Sequence, residues 1–108
     1  MTDSKFLHEL PQYHFDRHDF VATLSKIFPN DELFDLEMSC INHTSFPNFL
    51  LYHDTFDEFY IIHLKSGTII NWYKHLGRTN TCNKEGFTLN DLQALLELLK
   101  EDMRGSTK

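Results

Sequence analysis

The run from Phe59 to Tyr73 constrains this chain most. Phe59-Tyr60-Ile61-Ile62-His63-Leu64 and Thr68-Ile69-Ile70-Asn71-Trp72-Tyr73 are rich in β-branched and aromatic residues, which suit a pleated, half-buried surface. Lys65-Ser66-Gly67 separates them, and glycine supplies the positive φ that the last position of a three-residue loop requires. That loop predicts Leu64 opposite Thr68, Ile62 opposite Ile70, Tyr60 opposite Trp72 and Glu58 opposite Lys74. A two-residue Ser66-Gly67 loop sets Ile62 against Asn71 and Phe59 against Lys74. The first register is preferred because it gathers Tyr60, Ile62, Leu64, Ile70 and Trp72 on one face and pairs opposite charges at the open end. The other face then carries Phe59, Ile61, His63, Ile69, Asn71, Tyr73 and His75. A mixed face of this kind is either partly covered or used for binding.

Around this hairpin the chain reads as helix, strands, helix. A short helix is expected within residues 3–10, stopped before Pro11. A longer one runs from His14 to Phe28, with Asp16 as N-cap, Phe15 and Phe20 as a hydrophobic staple, and Phe20, Leu24, Ile27 and Phe28 along one stripe. Leu33 to Ile41 alternates: Phe34, Leu36, Met38 and Cys40 fall on one side, Asp35, Glu37 and Ser39 on the other, which predicts a strand with one wet face. Phe49 to His53 is a second strand, and Arg78 to Cys82 a short fifth one. Thr88 is a suitable N-cap for a final helix, in which Leu89, Leu92, Leu95, Leu96, Leu99 and Met103 recur at helical spacing. The expected fold is one α+β domain: an antiparallel meander of four to five strands, with an N-terminal and a C-terminal amphipathic helix on one face.

At 108 residues the chain is long enough to bury a core without staples. Its formal charge of −6 is unevenly placed: residues 1–58 hold eleven acidic and three basic side chains, residues 59–108 five and seven. An acidic balance argues against a general nucleic-acid binder and fits a protein partner with a basic surface. Cys40 and Cys82, without a signal-peptide pattern, read as reduced thiols of a cytoplasmic protein. No apolar run approaches the roughly 18 residues of a membrane span.

Seven histidines invite a metal reading. His14 and His18 are four apart, but no HExxH pattern gives that spacing a meaning. Cys40, His43, His75 and Cys82 are four zinc-type ligands in an unfamiliar spacing, and no cofactor is expected. Cys82 beside His75 is the one candidate nucleophile, and an enzyme built on His63, His75 and Cys82 is the main rival to a binding role. Trp72, Tyr73, Lys74, His75, Arg78, Asn80 and Lys84 have the composition of a single-stranded nucleic-acid surface. Asp31, Glu32, Asp35, Glu37, Asp54, Asp57 and Glu58 form the acidic set.

These readings converge on a non-enzymatic binding protein of accessory, inhibitor or immunity type. The expected contacts are Tyr73, His75, Arg78 and Asn80, then Asp54, Asp57 and Glu58. Self-association into a homodimer through the mixed sheet face is a further expectation.

Overall fold

The computed structural model describes residues 11–55, 57–73 and 80–106. Its elements are β1 (Tyr13–His14), α1 (Arg17–Ile27), α2 (Asp31–Ile41), β2 (Phe49–His53), β3 (Glu58–His63), β4 (Ile69–Tyr73), β5 (Asn80–Cys82) and α3 (Leu89–Ser106). The five strands form one antiparallel sheet in the order β1-β5-β4-β3-β2, and β2 to β5 are the expected meander without the strand expected at residues 33–41. β1 was not anticipated: its two residues complete the sheet beyond β5. The helix expected at residues 3–10 lies outside the described residues.

α1 and α3 form where their caps and stripes predict, although α1 starts at Arg17 after the Asp16 cap rather than at His14, which lies in β1. Asp16 accepts a hydrogen bond from the Asp19 amide, and the Phe15 and Phe20 rings lie 5.9 Å apart. At the start of α3, Thr88 and Asp91 bond reciprocally through side chain and amide. The apolar stripes of both helices, Phe20-Leu24-Ile27 and Leu92-Leu96-Leu99, enter one core with Leu51, Ile61, Ile70 and Trp72.

Residues 31–41 are a helix, not the predicted strand. Leu33, Leu36 and Cys40 recur at i, i+3 and i+7 and turn inward, whereas Phe34, Met38 and Ile41 face out. Acidic residues open the helix, where the dipole favours negative charge and where strand propensity is poor.

The hairpin register differs from the expected one, and from the two-residue-loop alternative as well. Phe59 faces Trp72, Tyr60 faces Asn71, Ile61 faces Ile70, and Glu58 faces Tyr73 rather than Lys74. The loop has four residues, Leu64 to Gly67: His63 N–H donates to Thr68 O, and Gly67 N–H to His63 O. Side chains that a hydrophobic pattern does not weigh explain the shift. Ser66 Oγ accepts from the Thr68 amide, Asn83 Oδ1 accepts from the Ile69 amide, and Leu64 N–H turns instead to Asn48 O. A slip of one residue reverses a strand's faces. β4 keeps Ile70 and Trp72 inside as predicted, but on β3 it is Phe59 and Ile61 that join them. Phe59 stacks on Trp72 at 5.2 Å.

Candidate functional site

The reversal of β3 puts Tyr60 on the sheet face away from the helices, in a row with Tyr52, Asn71 and Thr81. Tyr60, Asn71 and Thr81 are buried, Tyr52 partly so, and the polar groups of the row satisfy one another, as low-dielectric surroundings demand. Thr81 Oγ1 donates to Asn71 Oδ1, and Asn71 Nδ2 donates to Glu58 Oε1 at 3.4 Å. The Tyr60 hydroxyl donates to the same Glu58 oxygen at 2.7 Å and lies 3.3 Å from Asp54 Oδ2. Asp54 Oδ1 accepts the Glu58 amide at 3.1 Å. Burial first, and then the carboxylates of Glu58 and Asp54, hold the Tyr60 phenol well above its ordinary value of 10.0.

Four of the predicted contacts therefore converge at the open end of the central hairpin. Asp54 and Asp57 lie in the turn between β2 and β3, Glu58 opens β3, and Tyr73 faces Glu58 across the strands. Asp57 takes a positive φ of 63° and its carboxylate lies 3.3 Å from His53 Nε2. Asp54 is buried, whereas Asp57, Glu58 and Tyr73 are partly exposed. Asn80 is elsewhere: it faces Trp72 on the helix-facing side and is 7% exposed, so its side chain is not on this surface. His75 and Arg78 lie outside the described residues.

The groups read for other chemistry are drawn apart or enclosed. His14 is in β1 and His18 in α1, so the two do not share a helix face. Cys40 and Cys82 are both buried; burial pushes the Cys40 thiol up from 9.0 to about 12 and raises that of Cys82. Both environments disfavour the thiolate that a nucleophile needs. Trp72 lies between Phe59 and Phe20 in the core, which withdraws it from base stacking. Among the described residues no group of three or more His, Cys, Asp or Glu side chains is placed to hold a metal ion. Nor is any helix among them long and apolar enough to cross a membrane.

The outer face of α2 is a surface that the sequence reading missed. Phe34, Met38 and Ile41 stand at i, i+4 and i+7 and are 60%, 37% and 44% exposed. Exposed Asp31 and Asp35 flank them, and the helix carries four carboxylates and no basic residue. The spacing was visible in the sequence, but only to a helical period; read as a strand, Phe34 and Met38 go to the core. Beyond α2 the surface continues through His43. Its ring packs on Tyr52 at 4.9 Å and its Nε2 lies 3.0 Å from His53 O, and His53 in turn meets Asp57.

Comparison with protein families, curated proteins and solved structures finds no match.

Proposed function

We propose that this is a small non-enzymatic binding protein, an accessory, inhibitor or immunity-type module, whose partner is a protein with a basic surface. The observation that carries the reading is the outer face of α2, where three neighbouring apolar side chains stand in water on a helix whose own charged residues are all acidic. Large apolar groups are normally withdrawn from solvent, and a rimmed patch of them is characteristic of an interaction surface. Asp57, Glu58 and Tyr73 extend the same contact, at the far side of His43. Negative potential along this path steers a basic partner and limits the choice of partner more than it adds affinity.

The test is capture from an extract of the native host by the wild-type chain and by two surface variants, Phe34→Ser with Asp35→Lys and Asp57→Lys with Tyr73→Ala. All three should be folded at the temperature of the assay, as their melting curves would show. The expected result is one protein retained by the wild type, released by salt and lost from both variants. Equal retention by wild type and variants would sink the reading.

A further inference from the structure

We infer that the partner docks through a basic amphipathic helix that lies along α2 and sets one bulky apolar side chain into the trough between α2 and α3. This rests on the binding function proposed above and names the chemistry of its partner. The trough is about 610 Å³ in volume. Phe28, Phe46, Met38 of α2 and Met103 of α3 are its apolar lining. Unbranched thioether side chains adjust to the shape of what enters, so such a lining accepts an anchor without a preformed fit. The α3 side adds Lys100, 2.5 Å from Glu32 of α2, and Arg104, 3.9 Å from Glu101.

The case for a helix has three parts. Phe34, Met38 and Ile41 span seven residues, about 10 Å along the axis, which is the reach of two turns of a helix laid beside them. Strand addition is closed on this side of the sheet. β2 is the edge strand there, yet Phe49 exchanges hydrogen bonds with Phe46, Leu51 N–H donates to Thr44 O, and His43 covers His53 O. Finally, Asp31 and Asp35 run beside the apolar stripe, so lysines or arginines flanking the incoming apolar face would meet carboxylates one turn apart.

The experiment titrates the full chain, isotopically labelled, with a synthetic lysine-rich amphipathic peptide of about 16 residues, long enough for about 24 Å of helix. A peptide of the same composition in scrambled order and an acidic analogue are the controls. The result expected is micromolar binding of the amphipathic peptide alone, with amide shifts confined to α2, residues 42–46 and the last two turns of α3. Phe34→Ser and Met103→Ala should each weaken it about tenfold, and binding should weaken several-fold between roughly 50 and roughly 300 mM salt. Phe34 is mostly exposed, so its substitution does not threaten folding. Equal binding of the scrambled peptide, or shifts centred elsewhere, overturns the inference. If the host protein is captured through the α2 face while the amphipathic peptide fails, the binding function stands and the helical partner falls. If the α2 variants also capture the host protein, both fall.

Discussion

The Lys100 ammonium lies 2.6 Å from the carbonyl oxygen of Ile27, the last residue of α1. The same nitrogen is 2.5 Å from Glu32, in the first turn of α2, and 5.7 Å above the Phe28 ring. One cation on α3 therefore caps the end of α1, where the dipole favours positive charge, and pairs with Glu32, whose negative charge suits the dipole at the start of α2. Lys100→Met keeps the aliphatic stem and removes the charge. It should cost about 1–2 kcal/mol, since a charged hydrogen bond and a dipole contact go together. Glu32→Gln should cost less than about 0.5 kcal/mol, because that carboxylate is half exposed. Urea midpoints at constant m-value read both, and equal losses would show that the ion pair, not the cap, is what matters.

Leu36 and Phe34 test the helical reading of residues 31–41. On a strand the two share a face, and replacing either would cost the same. On α2 they diverge, Leu36 fully buried and Phe34 mostly exposed. Leu36→Ala is expected to destabilise by about 3 kcal/mol and Phe34→Ala to change stability by no more than about 0.5 kcal/mol. Similar losses at the two positions would return the segment to the sheet.

That segment also shows where the sequence was ambiguous. Leu36 and Cys40 satisfy both periods: with Phe34 and Met38 they alternate, and with Leu33 they make a helical stripe. The acidic opening after Pro29-Asn30 decided the matter, and pattern alone underweights it. β3 was misread for a different reason. Its register follows from hydrogen bonds of Ser66 and Asn83, the latter fourteen residues from its partner Ile69. The parts that were legible, α1, α3, β2 and the inner face of β4, are those in which caps, period and burial agree. The candidate contacts divide in the same way. Asp54, Asp57 and Glu58 are close neighbours in the chain, at the turn and the first residue of β3, and so stay together, whereas Asn80 depends on the facing of a three-residue strand.

Alkaline pH should destabilise the protein before any exposed lysine can account for it. Cys40 and Tyr60 both have folded values raised above their unfolded ones. The unfolded chain then releases protons that the folded chain retains, so stability falls as pH rises. The contribution is intact below 9.0, the ordinary thiol value, and is lost from there towards about 12 for Cys40, at roughly 1.4 kcal/mol per pH unit at most. The phenol adds to the fall above 10.0. Below this window both thiols should resist labelling in the folded protein and react in denaturant. Rapid labelling of folded protein at about pH 8 would contradict the burial of both cysteines.

His43 closes the outer edge of β2, and its removal should show how much that closure matters. The residue sits at a φ of 51°, with Nε2 3.0 Å from His53 O and its ring on Tyr52. Both the neutral Nε2–H tautomer and the imidazolium donate to a carbonyl, so the contact does not depend on the charge of the ring. His43→Ala should cost little stability, at most about 1 kcal/mol for one edge hydrogen bond. Its larger effect concerns association. An uncovered carbonyl at the end of an edge strand is a site for pairing with a second chain, and two-fold pairing of β2 edges would join the sheets of two copies. Sedimentation equilibrium should therefore find His43→Ala associating at concentrations where the wild type does not, whereas His43→Gln, which retains a donor of similar reach, should behave as wild type. If the alanine variant shows the same mass as wild type at every concentration, residues 44–46 are sufficient to protect the edge without the histidine.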